Sequence, residues 1–317
     1  MKKILITRKL IASSEDKAKK FFDVKLNKED EILSKEKLIK DSEGCDGILS
    51  SLTEKFDSDV ISKLPSSIKI ISNFAVGFGN IDIKAAKERN IVVTNTPDVL
   101  TDATAEIAML ILLGAARRAK EGAEWVMKKN WKWSADFLMG KQLTGSRLGI
   151  LGMGRIGRAI AERARSFGMK IHYYNRSRLA ENLEKGAVYH KSLESLLEVS
   201  DFFSINCPAT KETKHIINKN TLKHFPDGAV LSNSARGDMI DDDAMVEALK
   251  NGKIYSLGLD VYNGEPNIHP EYLNLPNVYI LPHLGSATKK TRTAMADLAV
   301  DNIHEFFKDG NCKNIVN

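Results

Sequence analysis

Short apolar runs alternate with helix-type segments along almost all of this 317-residue chain, and this alternation limits the fold more than any other feature. The runs lie at residues 3–7, 47–51, 68–74 and 91–96, and then at 147–152, 170–175, 201–206, 229–233, 255–261 and 278–283. Near-continuous apolar character is typical of strands buried on both faces of a parallel sheet. Because the runs form two groups, the sequence predicts an α/β protein with two doubly wound parallel-sheet domains.

Two long helical segments connect the groups of strands. The first is predicted from Thr101, as its N-cap, to about Lys129, and the second from about Ala287 to Phe307. The second segment leads the chain back toward the first group of strands. This course indicates that one domain is inserted into the other.

The composition excludes several classes of protein. There are 47 Lys and Arg against 41 Asp and Glu, a net charge of +6, and they alternate rather than form the basic stripe of a nucleic-acid binder. The longest apolar run, 107–116, is much shorter than the roughly 20 residues that span a bilayer. The cysteines, Cys45, Cys207 and Cys312, are too widely spaced to indicate a disulfide framework or a zinc site. We therefore expect a cytoplasmic protein without nucleic-acid, membrane or metal partners.

The segment GMGRIG at 152–157 has the spacing of a dinucleotide-binding turn. A strand-type run precedes it, an amphipathic helix follows, and Gly168 can end that helix in the left-handed conformation. Backbone N–H groups at a helix N-terminus bind pyrophosphate, and side chains at the first two glycines would keep it away. The motif therefore predicts a cofactor site that includes Gly152, Gly154, Arg155, Ile156 and Gly157.

The residues that end the next strand bear on the choice of dinucleotide. NAD sites usually place an acid there to accept bonds from the ribose 2′-OH, whereas this chain has Asn175, Arg176, Ser177 and Arg178. Without the acid, two guanidinium groups and a hydroxyl can bind a 2′-phosphate. The alternative is a solvated arginine pair on a loop. The pattern favours NADPH over NADH.

Three titratable residues follow strands of the second group, where open parallel sheets bind their ligands. They are Arg236, Glu265 and His283. Taken alone, Arg236 is better explained as part of a surface ion pair, Glu265 as an acidic residue in a turn, and His283 as a half-buried histidine with its hydrogen bonds satisfied. Together they supply the chemistry for reducing a 2-keto acid. Arg236 would bind the carboxylate and polarise the keto oxygen, and His283, kept protonated by Glu265, would donate a proton to that oxygen.

Six segments in this order resemble the D-2-hydroxyacid dehydrogenases: residues 73–82, 95–106, 152–157, 233–241, 259–266 and 282–288. The resemblance covers essentially the whole chain. It implies a flavodoxin-like substrate domain at 1–98 and 289–317, with an inserted Rossmann domain at 99–288 that binds NAD(P). It also implies that Arg236, Glu265 and His283 are catalytic.

The same resemblance implies further contacts. Backbone groups of Val76 and Gly77 would hold the substrate carboxylate, Ser51 would shape the substrate pocket, and Asp260 would bond the nicotinamide carboxamide. The remaining implied cofactor contacts are Thr104, Cys207, Pro208, Thr213, Ser234, Ala235, His283, Gly285 and Ser286. Asn206 is a departure, because relatives often have His there.

Within the family, the NRSR loop and the tryptophans before the nucleotide-binding strand resemble the glyoxylate/hydroxypyruvate reductase branch. In that branch a Trp at the position of Trp133 reaches the partner subunit's active site in a homodimer. Packing of Trp131 and Trp133 at an interface without substrate contact is an equal alternative. We therefore expect a small 2-keto acid, glyoxylate or hydroxypyruvate, as the substrate.

Other members of the family are alternatives. A 2-ketogluconate reductase is compatible with the same residues, whereas phosphoglycerate dehydrogenases normally prefer NAD. Formate-oxidising relatives pair their histidine with Gln, so Glu265 argues against them. A nucleotide-sensing binding protein, similar to the C-terminal-binding corepressors, is the alternative outside enzymes; those proteins prefer NAD, and the two arginines of the 175–178 loop argue against that reading.

Overall fold

The computed structural model describes all residues from 1 to 317, and they form two compact units. One unit comprises Met1–Leu100 and Ala287–Asn317, and the other comprises Thr101–Ser286. These junctions lie two residues from the boundaries expected from the sequence. No helix is both long enough and apolar enough to cross a membrane.

The first unit is a five-stranded parallel sheet with helices. Its strands are β1 Lys3–Ile6, β2 Asp23–Leu26, β3 Gly47–Ser51, β4 Ile70–Phe74 and β5 Val92–Thr94. Its helices are α1 Ala12–Phe21, α2 Lys35–Asp41, α3 Ser58–Lys63, α4 Ile83–Glu88 and, after the second unit, α13 Lys289–Asp309. The strand order β2-β1-β3-β4-β5 is that of flavodoxin-like folds.

Both faces of this sheet are covered, which explains the continuous apolar runs. In β1, Leu5 packs into one hydrophobic cluster with Ile48 of β3, whereas Ile4 and Ile6 pack into another with Ala299 of α13. Alternating side chains therefore enter two cores, and each must be apolar.

The second unit is a seven-stranded parallel sheet. Its strands are β6 Arg147–Leu151, β7 Lys170–Tyr174, β8 Val188–Tyr189, β9 Phe202–Ile205, β10 Ala229–Asn233, β11 Ile254–Leu259 and β12 Val278–Ile280. Its helices are α5 Thr101–Ala116, α6 Ala119–Met127, α7 Arg155–Ser166, α8 Glu181–Glu184, α9 Leu193–Leu197, α10 Lys219–Leu222, α11 Asp242–Lys250 and α12 Pro270–Asn274.

The strand order is β12-β11-β10-β9-β6-β7-β8. From β6 the chain builds outward through β7 and β8, then returns to β9 and builds the other way. The crevice between the carboxyl ends of β6 and β9 is therefore the point at which doubly wound folds bind ligands. The predicted fold class, two doubly wound parallel-sheet domains, is confirmed.

The helix predicted over 101–129 was wrong in two respects. It is two helices, α5 and α6, because Arg118 adopts a left-handed φ of 54° between them. The Arg118 guanidinium is held by Glu121 in the first turn of α6. Thr101 is also the first residue of α5 rather than its N-cap.

Two histidines at the β7–β8 edge predict a pH-dependent stability. His172 Nδ1 and His190 Nε2 are 3.0 Å apart. Burial lowers the pKa of both rings, and the charge of His190 lowers that of His172 further. The unfolded chain therefore binds protons more readily, so this contribution to stability is present above about pH 6.5 and is lost as the pH falls below it.

When the pH is lowered from about 7.5 to about 5.5, we expect the urea concentration at the unfolding midpoint to decrease. The decrease should be smaller in His190→Asn. An equal fall in the variant and the wild type would contradict this assignment.

Candidate active site

The glycine motif forms the turn from β6 into α7. Gly152 has a φ of 94°, and a Cβ there would lie 2.5 Å from the backbone nitrogen of Cys207, after β9. A Cβ on Gly157 would lie 2.2 Å from the Gly152 carbonyl oxygen. A Cβ on Gly154 would meet no atom within 4 Å. Close packing inside the chain therefore requires two of the glycines, whereas the third faces open space.

Several polar groups around this turn suit a bound dinucleotide. Helix α7 begins after Gly154 with no side chain capping its first N–H groups. The Ser234 hydroxyl and Asn206 Oδ1 are buried without a hydrogen-bond partner. Asn206 uses its amide nitrogen instead, which donates to Ser204. The two unpaired atoms follow β10 and β9, and the uncapped helix follows β6, so all three lie at the carboxyl edge of one sheet, where a polar ligand would satisfy them.

The open space at Gly154 gives a direct test. Gly154→Ala should fold with a melting temperature close to the wild type and bind the dinucleotide at least about tenfold more weakly, because the methyl group would occupy the ligand's space. Gly157→Ala, the matched control, should instead lower the melting temperature. Calorimetric titration and thermal unfolding measure both effects; unchanged dinucleotide affinity in Gly154→Ala would contradict the site.

The loop after β7 is held in place by its own side chains. Asn175 Oδ1 accepts a hydrogen bond of 2.7 Å from the Met153 N–H, so it fixes the glycine turn. Arg178 pairs with Glu184, at 2.9 Å and 3.0 Å. Arg176 and Ser177 are exposed. The arginines therefore differ, because Arg178 already has a carboxylate partner.

Arg236 lies in a tight loop after β10. The Asn233 side chain accepts from the Ala235 N–H and donates to the Arg236 carbonyl, at 3.0 Å and 2.8 Å. A Cβ on Gly237 would lie 1.8 Å from the Tyr262 carbonyl carbon, so only glycine allows this loop to pack against the segment that carries Glu265. Burial lowers the pKa of the Arg236 guanidinium, and the charge of Glu265 opposes that effect.

Glu265 and His283 form a hydrogen-bonded pair, as expected from the sequence. Glu265 Oε2 is 2.7 Å from His283 Nδ1, and the Tyr262 N–H donates to Glu265 Oε1 at 2.8 Å. Burial raises the pKa of Glu265, but the bond and charge of His283 outweigh it and leave the pKa below its ordinary value. Because an ionised carboxylate only accepts, Nδ1 carries the proton and Nε2 is the nitrogen left for a substrate.

His283 also has an unusual backbone. Its φ is 56°, in the left-handed region that non-glycine residues rarely occupy. Such conformations are maintained by the surrounding structure and concentrate at functional sites. The bond to Glu265 is one of the contacts that fix the ring here.

Asp260 and Thr104 each form a hydrogen bond with the backbone of Gly285. Asp260 is 1% exposed, and its two oxygens accept from the N–H groups of Leu284 and Gly285 at 2.7 Å and 2.8 Å. Burial raises the pKa of Asp260 in spite of these bonds. The Thr104 hydroxyl donates to the Gly285 carbonyl at 3.1 Å. Asp260 therefore holds the backbone directly after His283, and each of its oxygens retains a further lone pair.

The other predicted cofactor residues lie at the carboxyl ends of strands in this unit. Cys207 follows β9, and burial raises the pKa of its thiol to about 11. The Thr213 hydroxyl donates to the Pro208 carbonyl at 2.9 Å and fixes that loop. Ala235 is in the Arg236 loop, and Ser286 follows Gly285.

The predicted substrate residues of the first unit share one sheet edge. Ser51 ends β3, and Val76 and Gly77 follow β4. The carbonyls of Val76 and Gly77 accept from the side chains of Asn95 and Asn73, at 2.8 Å and 3.0 Å. These amides orient the loop through its carbonyls and leave its N–H groups for another acceptor.

The two predicted interface tryptophans lie outside the core. Trp131 is 84% exposed and Trp133 is 80% exposed. They follow α6, whose Trp125 packs edge-to-face against Phe137 at 5.2 Å.

Several residues that support these loops were missed from the sequence. Glu54 is fully buried and accepts from the Ser51 hydroxyl and N–H and from Thr7. Glu184 accepts from Arg178 and from the Tyr173 hydroxyl. Nothing local in the sequence distinguishes either glutamate from a surface acid.

Comparisons with known proteins agree with the fold described above. Residues 109–285 match the family model described as D-isomer specific 2-hydroxyacid dehydrogenase, NAD binding domain. The chain is 43% identical to glycerate dehydrogenase of Hyphomicrobium methylovorum over 309 residues, 96% of each protein. It is 41% identical to glyoxylate reductase of Thermococcus litoralis over 320 residues, 99% of this chain and 96% of that one.

A solved structure is similar over the same extent. It is the NADPH-dependent glyoxylate/hydroxypyruvate reductase of Sinorhizobium meliloti in complex with NADP and malonate, with a TM-score of 0.89, 34% identity and coverage of 99% of this chain and 96% of that one. Family model, relatives and fold agree with the predicted resemblance. The chain therefore belongs to the D-isomer specific 2-hydroxyacid dehydrogenase family of nicotinamide-dependent oxidoreductases.

Proposed function

We propose that this enzyme reduces glyoxylate and hydroxypyruvate to the corresponding D-2-hydroxy acid with NADPH. The observation that carries the proposal is the 2.7 Å pair of Glu265 and His283, which leaves Nε2 of the histidine for a substrate. Residues 1–98 and 289–317 form the substrate domain, and residues 99–288 form the nucleotide-binding domain.

The catalytic roles follow from the chemistry of the three side chains. Arg236 binds the substrate carboxylate and polarises the keto oxygen with its permanent charge. His283 donates the proton on Nε2 to that oxygen, and Glu265 stabilises the imidazolium through Nδ1. In the oxidative direction, Nε2 accepts the hydroxyl proton. The N–H groups of Val76 and Gly77 provide further donors for the carboxylate.

The dinucleotide is held by the loops at the carboxyl ends of β6, β7, β9 and β10, and it supplies the hydride when bound. The glycine turn with Arg155 and Ile156 binds its pyrophosphate, and Asp260 accepts from its carboxamide. The remaining contacts come from Thr104, Cys207, Pro208, Thr213, Ser234, Ala235, Gly285 and Ser286. His283 would be a further contact for its nicotinamide end.

The preference for NADPH is supported by the loop after β7. Asn175 has no charge that would repel a 2′-phosphate. The hydrogen-bond donors to that phosphate are Arg176, Ser177 and Arg178. The Sinorhizobium structure with NADP supports this choice, because that protein is described as NADPH-dependent.

The size of the substrate is supported by Ser51 and by the relatives. A small polar residue at the end of β3 suits a small or hydroxylated acid. The relatives named glyoxylate reductase and glycerate dehydrogenase support acids of this size. We further propose a homodimer in which the exposed Trp133 reaches the partner's substrate; light scattering should give twice the mass of the 35.2 kDa chain.

Product stereochemistry tests the reaction type. With hydroxypyruvate and NADPH, chiral chromatography should detect D-glycerate and no L-glycerate. L-glycerate, or a racemic product, would overturn the proposed arrangement of hydride and proton donors.

A further inference from the structure

Glu184, the last residue of α8, is a buried carboxylate next to the proposed 2′-phosphate site. Its exposed fraction is 4%, and it accepts hydrogen bonds from Tyr173 at 2.5 Å and from Arg178 at 2.9 Å and 3.0 Å. The Tyr173 hydroxyl in turn accepts from the Leu179 N–H at 3.0 Å. Glu184 and Tyr173 together therefore fix the end of the 175–179 loop.

The charge of Glu184 is present at every working pH. The Arg178 bond, followed by the Tyr173 bond, lowers its pKa to about 2. The carboxylate binds Arg178 through Nε and Nη2, which uses two of the five guanidinium N–H groups. The guanidinium also lies 6.0 Å from the centre of the Tyr189 ring. Arg178 is thus a restrained and charge-compensated donor.

Arg176 is exposed, as Arg178 is, but no carboxylate is hydrogen-bonded to it; its charge only contributes to the lowered pKa of the nearby Glu212. A 2′-phosphate on this loop would meet one guanidinium without a bonded carboxylate and one that already shares its charge with a fixed anion. Glu184 also adds its own negative charge close to the phosphate. Both effects act on a phosphorylated ribose and leave an unphosphorylated ribose almost unaffected.

We propose that Glu184 is a specificity-determining residue, which restrains Arg178 and so limits how strongly the enzyme prefers a 2′-phosphorylated dinucleotide. The inference rests on the proposed placement of the 2′-phosphate at residues 175–178. Glu184 does not touch the reacting atoms, and its effect should therefore appear in binding rather than in turnover.

The test compares two adenosine ligands that differ only in the 2′-phosphate. Adenosine 2′,5′-bisphosphate and adenosine 5′-monophosphate are titrated calorimetrically into the wild type, Glu184→Gln and Tyr173→Phe. Glu184→Gln removes the charge but keeps an acceptor for Tyr173. Tyr173→Phe removes the other bond to the same carboxylate without changing any charge, and it is the matched control.

We expect Glu184→Gln to bind the bisphosphate about threefold to fivefold more tightly, the effect of one partly screened charge. Affinity for the monophosphate should not change, and Tyr173→Phe, which loosens the loop but keeps the charge of Glu184, should not give the gain for the bisphosphate. If Glu184→Gln does not fold, Glu184→Met, with an apolar side chain in the buried position, must give the same gain.

The outcomes separate this inference from the cofactor proposal. No gain in either neutral variant, or an equal gain for both ligands, would overturn the role of Glu184. A wild type that binds the bisphosphate no more tightly than the monophosphate would instead overturn the preference for NADPH. A gain in Glu184→Gln that is confined to the bisphosphate would support the role of Glu184.

Discussion

Replacing His283 with Asn should lower kcat for keto-acid reduction by about 10²- to 10⁴-fold, the usual contribution of a general acid. The amide cannot supply a titrating proton to the keto oxygen. Asn is preferable to Ala because it tolerates the left-handed backbone that His283 adopts, at a φ of 56°. Stopped-flow or steady-state loss of reduced cofactor measures the effect.

Dinucleotide affinity provides the control for this variant. We expect the dissociation constant of NADPH to change by less than about threefold, because the bonds of the glycine turn and the 175–178 loop are unaffected. His224→Asn is the matched substitution, since His224 also lies beside a glutamate, with Nδ1 3.5 Å from Glu198, but is outside the constellation. Full activity in His283→Asn would exclude His283 as the proton donor.

Changing the loop after β7 should reverse the preference between cofactors. In Asn175→Asp with Arg176→Ala, we expect the ratio of kcat/KM for NADPH to that for NADH to fall at least about 100-fold. Loss of the charge-assisted donor Arg176 weakens binding of the 2′-phosphate by about 1.5–3 kcal/mol. The new carboxylate at position 175 repels the phosphate and costs several kcal/mol more. The carboxylate introduced by Asn175→Asp can still accept from the Met153 N–H, so the glycine turn is kept.

Arg178 is left unchanged in this design because of its bond to Glu184. Its removal would leave a carboxylate with only 4% exposure without its charged partner, and the loop itself would be disturbed. Lys191→Ala is the control for a general loss of positive charge, because Lys191 is an exposed cation elsewhere in the same unit. If the ratio is the same in the double variant and the wild type, the 2′-phosphate binds elsewhere.

Much of the fold could be predicted because most strands are buried on both faces. Ten of the strands coincide with apolar runs, but β2 and β8 were missed. Both are edge strands with little buried surface: no residue of DVKL in β2 or VY in β8 is fully buried. The left-handed break at Arg118 was missed for a different reason, since no glycine or proline marks it.

The site residues could be predicted where a chemically reactive side chain directly follows a predicted strand. Arg236, Glu265 and His283 each follow a strand of one parallel sheet, and such ends converge on one edge. The supporting residues could not be found in this way. Glu184 lies in a polar segment that looks like an exposed helix face, and only the three-dimensional structure places it against Tyr173, eleven residues earlier.

The most direct test of this account is a set of initial rates. Glyoxylate and hydroxypyruvate are each assayed with NADPH and with NADH, at matched concentrations and ionic strength. The account predicts turnover of both acids, with a clearly higher kcat/KM for NADPH. Turnover with NADH alone would contradict the cofactor assignment, and absence of turnover of either acid with either cofactor would contradict the proposed substrates.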